Sequence, residues 1–369
     1  MRSTIPYRLA LLLLGLAGLD PHAAQTRSDW WAVSPRPLWP AKGEFSVLSL
    51  PTGPIGAAAV DPADTRVLYL GGAEGLFRSL NGGDTWDLLS RELRYPHVLL
   101  VDPADRLCLY AARRDVHSFL PMPAVYRSDD GGYSWQRLVR GLGEERIFSL
   151  ALDPFHKGTL YAGSWAGRIY KTQDHGAHWR PLSAGVVRLG PAAVPATVGQ
   201  LLVSPVDGSV YALQTYGGTA KSTNGGVTWE QIHEDGSWLA VDAARGDLYL
   251  AGRRLQRSDD SGQTWADLSV GLPFNAGTGS YAVYWVAVNP DPLVLYTRYH
   301  CSTDGGITWI ALETPATFIP RLLLPGARPA VYGSVNGQTA RYRGLSFALR
   351  RAQINMRRNC STSKEIGPR

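Results

Sequence analysis

One eight-residue pattern constrains this chain more than any other feature of its sequence. It occurs six times: Ser79 to Trp86 (SLNGGDTW), Ser128 to Trp135 (SDDGGYSW), Thr172 to Trp179 (TQDHGAHW), Ser222 to Trp229 (STNGGVTW), Ser258 to Trp265 (SDDSGQTW) and Ser302 to Trp309 (STDGGITW). The consensus is Ser/Thr-x-Asp/Asn-x-Gly-x-Thr-Trp. Recurrence at the interval of one supersecondary unit means that one unit is built many times and stacked, so the repeats, and not the length of 369 residues, set the domain count.

Each position has a physical reason. The carboxylate or amide at position three (Asn81, Asp130, Asp174, Asn224, Asp260, Asp304) accepts backbone N–H bonds inside a hairpin turn. Glycine at position five supplies the positive φ of a tight turn. The closing tryptophan (Trp86, Trp135, Trp179, Trp229, Trp265, Trp309) opens the next strand and packs its ring between neighbouring units. Two copies carry Asn and no further ligands surround them, so the turns read as structural and no metal or cofactor is expected. His175 and His178 form a His-x-x-His string in the third copy, which reads as drift at exposed turn positions for want of a third ligand.

Between the turns the repeat continues with an apolar strand ending in an Asp-Pro-like corner, at Asp61, Asp102, Asp153, Ser204, Asp242, Asn289 and Leu324. A second strand carries a tyrosine: Tyr69, Tyr110, Tyr161, Tyr211, Tyr249, Tyr296 and Tyr332. A third often places Arg or Lys just before the turn (Arg78, Arg127, Lys171, Lys221, Arg257), and a short fourth follows the tryptophan. Four short strands make a propeller blade, and seven corners and seven tyrosines count seven blades. The seventh unit, residues 320 to 343, lacks a fourth strand. Residues 44–50 supply it, because Phe45 lies sixteen residues before Asp61, as Trp86 does before Asp102. The expected fold is an all-β, seven-bladed propeller of four-stranded blades whose ring is closed by the N-terminal strand, which removes a free sheet edge.

The ends read differently. Residues 1–24 have Arg2 and Arg8, an apolar run from Leu9 to Leu19, and Ala23-Ala24, the pattern of a secretory signal peptide. The mature chain is expected to be periplasmic or extracellular, without a transmembrane segment. Residues 25–43 form an N-terminal extension, 44–343 the propeller, and 344–369 a basic tail read as flexible. The net charge of +6 sits in these ends: Arg2 and Arg8 against Asp20, and Arg350, Arg351, Arg357, Arg358, Lys364 and Arg369 against Glu365. Residues 25–343 are therefore balanced, and no nucleic-acid partner is implied. Cys108, Cys301 and Cys360 are too few to staple the fold, and the first two read as buried strand residues.

The eight-residue turn resembles the Asp box, or BNR repeat, over roughly residues 44 to 343. That superfamily includes sialidases, xyloglucan-degrading hydrolases, the sortilin ectodomain and photosystem II assembly-factor propellers; a turn in nearly every unit is most similar to the last three. The resemblance places the ligand face on the loops between strands two and three and between strand four and the next blade, opposite the boxes. Two loops there stand out by length, 111–124 (with Arg113, Arg114, Asp115 and His117) and 183–199. Shorter ones add Glu144, Glu145, Arg146, Trp165, Tyr216, Glu234, Asp235, Arg253, Arg254, Arg298 and Tyr299.

Two function classes follow. A sialidase-like enzyme requires a Phe/Tyr-Arg-Ile-Pro motif in the first blade, and the nearest string here, Phe318-Ile319-Pro320-Arg321, has another order and place. A xyloglucanase-like enzyme requires facing carboxylates, for which Glu144 or Glu145 with Asp235 are the candidates. The alternative is a non-catalytic module in which Arg113, Arg114, His117, Arg146, Trp165, Tyr216, Arg253, Arg254, Arg298 and Tyr299 hold a protein, peptide or glycan. The binding module is the expected reading.

Overall fold

A computed structural model of the chain describes residues 44–47, 55–113, 125–182, 197–215, 217–281, 283–290, 293–312, 319–324, 330–335 and 338–343; the side chains of 44–47, 290 and 319–343 lie outside the description. The leader, the extension, the tail with Cys360, and residues 48–50 of the expected closing strand also lie outside it. The described residues contain strands and no helix, so none is long and apolar enough to cross a membrane.

These strands form seven four-stranded antiparallel sheets. Six are built from consecutive strands, the first from Ala57–Val60, Leu68–Gly72, Gly75–Ser79 and Asp87–Ser90. The inner strands Ala57–Val60, Pro96–Asp102, Ile147–Leu152, Val198–Val203, Trp238–Val241 and Val286–Pro290 each lie against the next, and Ile319–Leu324 lies against the first. A ring results. Apolar residues of adjacent sheets fill the space between them, as where Leu99, Val101 and Leu109 of the second sheet join Leu68, Leu70 and Leu76 of the first. Polar ties supplement this packing: Gln200 exchanges two hydrogen bonds with the Leu239 backbone at 2.8 and 2.9 Å, and Ser149 Oγ donates to the Val198 carbonyl.

The seventh sheet takes Ile319–Leu324, Ala330–Val335 and Gln338–Arg343 from the end of the propeller and Glu44–Val47 from its start. Its register settles the place of Phe45. In the other sheets the residue after the box tryptophan pairs with the residue before the box, as Asp87 with Arg78 and Gln136 with Arg127. Here Ser46 pairs with Arg341, and Arg341 pairs with Tyr332 as Arg78 pairs with Tyr69. Phe45 thus occupies the tryptophan position of the closing strand.

The six box turns share one construction. The position-one hydroxyl accepts the position-five N–H, as from Gly83 to Ser79 at 2.8 Å, and donates to the position-three oxygen. That oxygen accepts the position-seven N–H in every box, at 2.9–3.0 Å. Position five has φ between 84° and 98°. Position four is left-handed as well, which the sequence reading did not foresee; Gly fills it four times, while His175 (φ 60°) and Ser261 (φ 63°) adopt it at some cost. The position-seven hydroxyl reverses its role with its partner: it accepts from Asn81 and Asn224 but donates to Asp130, Asp260 and Asp304. In the third box His178 Nδ1 meets Asp174 Oδ2 at 2.7 Å, and His175 Nδ1 meets Tyr110 Oη at 3.1 Å, so the two histidines bind different partners.

The tryptophans wedge between sheets as expected, though each regular fourth strand begins one residue after its tryptophan. Trp179 is buried within the core of the second sheet, Trp135 packs on that of the first, and Trp265 and Trp309 donate Nε1–H to backbone carbonyls of the preceding sheet. The second-strand tyrosines through Tyr296 are buried, and burial pushes the Tyr249 hydroxyl up to about 12. Corner carboxylates close their own turns, Asp61 accepting from Ala63 and Asp64, and Asp242 from Ala244 and Arg245. Cys108 and Cys301 are buried and free.

Candidate functional site

Antiparallel order puts the corner and box turns of a sheet at one end, and backbone bonds join them: Gly82 to Arg66, Gly131 to Leu107, His175 to Gly158. The remaining connections lie at the other end. There, on the third sheet, the segment Gly141–Arg146 and the turn Trp165–Arg168 flank a cleft of about 690 Å³. Tyr170 and Pro181 complete its lining.

The local fold fixes this cleft. Gly141 has φ 90°, and a Cβ there would stand 1.9 Å from the Trp179 carbonyl oxygen, so only glycine lets the segment pass that close. The turn is pinned across the cleft by Trp165 N–H to the Arg146 carbonyl at 2.8 Å, and Thr197 Oγ1 donates to the Trp165 carbonyl. The Trp165 ring leans on Phe148 with centroids 5.2 Å apart, and Phe148 on His97 at 5.7 Å. Even so, Trp165 remains 46% exposed. Arg168 Nη1 donates to Glu145 Oε1 at 2.6 Å; Glu144 and Arg146 are exposed on the same segment.

Four of the sequence candidates, Glu144, Glu145, Arg146 and Trp165, therefore meet in one place, joined by Arg168 and Tyr170, which the sequence reading did not select. Asp235 is not among them. Its Oδ1 accepts Gly236 N–H and its Oδ2 accepts Arg253 N–H, so it braces the approach to the fifth sheet. Arg253 is exposed, Arg254 pairs with Asp267, and Arg298 lies over the Tyr299 ring at 4.8 Å. Arg113 ends the strand Asp105–Arg113, half-buried, and Val198 and Gly199 begin Val198–Val203, so the two long loops are shorter than their expected bounds. Arg114, Asp115, His117 and Tyr216 lie outside the described residues. A further excursion between the strands Ala266–Asp267 and Val286–Pro290 escaped the sequence reading. It exposes Phe274 and Tyr284, and Phe274 packs on Tyr281 at 5.0 Å.

Apart from Asp267 in the strand Ala266–Asp267, the carboxyls with shifted acidity belong to turns. Hydrogen bonds from Thr264 and Ser258 hold Asp260 far below the usual range. In Asp130, burial acts upward, but bonds from Ser134, Ser128 and Tyr133 outweigh it and bring the group to about 2. A general acid requires the opposite shift.

No family model matches the chain. It is 25% identical over 279 residues to xyloglucanase Xgh74A of Acetivibrio thermocellus, covering 57% of this chain and 31% of that protein. It is 26% identical over 215 residues to sortilin of Rattus norvegicus, covering 52% and 24%. The chain thus spans well under half the length of these curated relatives. Among solved structures, YCF48 bound to D1 peptide superposes with a TM-score of 0.54 at 18% identity, over 81% of this chain and 96% of that one. The repeated turns, the succession of four-stranded sheets and these likenesses show a β-propeller fold, and the chain is similar to proteins of the BNR/Asp-box-like superfamily.

Proposed function

We propose that the protein is an exported, non-catalytic binding or assembly module that holds a protein, peptide or glycan in the cleft between Gly141–Arg146 and Trp165–Arg168. The observation that carries this reading is the exposed Trp165 ring, fixed through its backbone and through Phe148, beside the cations Arg146 and Arg168. A ring held in place binds without the entropy cost of ordering it first. The cleft's carboxyls favour the same side. Glu144 and Glu145 are consecutive on one segment and Glu145 is paired with Arg168, whereas glycoside hydrolysis sets two carboxyls on either side of the scissile bond. The peptide-bound YCF48 structure lends the fold a precedent for binding. Export rests on the leader pattern of residues 1–24, with 25–43 as an extension, 44–343 as the propeller and 344–369 as a flexible tail.

The xyloglucanase relative favours a second reading, a glycoside hydrolase using Glu144 or Glu145 with Asp235. One experiment separates the two. Purified protein is assayed for reducing sugar released from xyloglucan, sialosides and other polysaccharides, while partner retention from an envelope fraction is compared with that of Trp165→Ala. The binding reading expects no turnover and retention lost in the variant. Turnover abolished by Glu144→Ala, Glu145→Ala or Asp235→Ala overturns it.

A further inference from the structure

The binding reading leaves the ligand class open, and the side chains of the cleft narrow it. Leu142, Ala166, Pro181 and the Trp165 ring give it an apolar wall; its charged groups are two carboxylates and two guanidiniums. A pyranose demands a ring of neutral donors and acceptors around each hydroxyl, and this lining has few. Apolar surface beside guanidinium suits an apolar side chain next to a carboxylate. Arg168 bonds Glu145 through Nη1 and interacts with the Tyr170 hydroxyl, but its side chain is 65% exposed and a guanidinium has five N–H groups, so donors remain for a further acceptor. Arg146 is exposed and forms no ion pair among the described residues. Glu145, by contrast, is only 14% exposed while it sits on Arg168.

Resting on the binding reading of this same cleft, we infer that Glu145 occupies the place of a ligand carboxylate, and that the cleft takes a peptide bearing a carboxylate beside an apolar side chain. The incoming carboxylate binds Arg168 and Arg146, the apolar side chain lies on Trp165, and Glu145 turns out into water. The exchange trades one desolvated carboxylate for another, so the cost of burying the newcomer is offset by rehydration of Glu145. No bond is made or broken. Glu145 also acts as a filter: ligands without a carboxylate do not displace it.

The test uses the purified protein and three unlabelled, N-acetylated tetrapeptides read by isothermal titration calorimetry: Ala-Ala-Gly-Phe as the free acid, the same peptide as its C-terminal amide, and Ala-Glu-Gly-Phe amide. The amide of the first binds weakest; the free acid or the Glu-containing amide binds at least about tenfold tighter, and which one does so tells a terminal from a side-chain carboxylate. Glu145→Gln tightens the carboxylate peptide about three- to tenfold by removing the competing charge and leaves the neutral amide unchanged. Arg168→Gln, with its fold checked by near-ultraviolet circular dichroism, erases the difference between acid and amide. Equal binding of all three peptides, binding of none, or preference for a uronic-acid or neutral oligosaccharide over the acid peptide overturns the inference. The binding reading survives each of these results provided that some ligand is lost in Trp165→Ala; a ligand set indifferent to Trp165 sinks both.

Discussion

The two ends of the sheets differ in what their side chains are committed to. At the box end the same turn appears six times, and groups beside it reach into the turn of the next sheet: Arg78 Nη2 donates to Tyr133 Oη at 2.9 Å, Lys171 Nζ to the Gly225 carbonyl and Lys221 Nζ to the Ser261 carbonyl, while Tyr110 bonds His175. At the other end the connections are unlike one another, and Trp165, Arg146, Phe274 and Tyr284 are exposed. The difference teaches that sequence regularity here marks interactions between neighbouring sheets. Residues that break the pattern at the opposite end are the ones on which the proposed binding rests, although box residues such as Val227 and Ile307 are exposed as well.

The comparison breaks most visibly at two tryptophans. Trp179→Ala removes a ring buried between the second and third sheets and is expected to cost about 3–5 kcal/mol in chemical denaturation. Trp165→Ala should cost about 1 kcal/mol or less while abolishing ligand retention. Equal costs would erase the division. Next come two glycines. Gly132→Ala forces φ 98° on alanine and brings a Cβ to 2.9 Å from Leu76 and Leu89, for an expected loss of about 2–3 kcal/mol. Gly143→Ala, at φ 63° in open space, should lose about 1 kcal/mol.

A smaller effect depends on pH. Asp130 and Asp174 titrate at about 2 in the folded chain against an ordinary 3.8: burial raises each, and hydrogen bonds, from Ser134 and Thr172 respectively among others, more than reverse it. A depressed carboxyl stabilises the fold above its unfolded pKa and loses that contribution as pH falls through its folded one. Denaturation midpoints of wild type and Asp130→Asn should therefore differ at pH 6 and converge between pH 4 and 2. Asn81 and Asn224 show that the turn tolerates the amide. The smallest change is a gain: Ser261→Gly relieves a left-handed serine and should raise stability by about 0.5–1 kcal/mol, read as a shift of thermal midpoint.

Much of the fold was legible because the turns are local. A hydroxyl, a carboxylate or amide and a glycine within eight residues determine each box by themselves, and the interval from Phe45 to Asp61 carried the closing strand into register. Position four was missed because its left-handed φ has no residue signature where His175 and Ser261 stand. The site was legible in part. Loop chemistry singled out Glu145 and Trp165, but nothing in the spacing singled out Arg168, which the fold brings to a carboxylate 23 residues earlier. Asp235 illustrates the converse: an acidic loop residue whose oxygens are taken by the amides of Gly236 and Arg253. Neither outcome is written in the spacing, since both depend on how separate turns fold against each other.

The pairing of Glu44–Val47 with Gln338–Arg343 makes one sheet non-local in a fold whose other sheets are local. The closing strand and its partner stand at opposite ends of the propeller sequence, so the seventh sheet requires nearly the whole propeller chain, whereas each other sheet is built from consecutive strands. Loop-closure entropy grows only slowly with the span joined, so this long-range pairing costs little more than a local one. Until that sheet forms the ring has two open flanks, and the chain is at its most vulnerable to pairing with a neighbour. The seam is thus the contact whose opening exposes two sheet flanks at once.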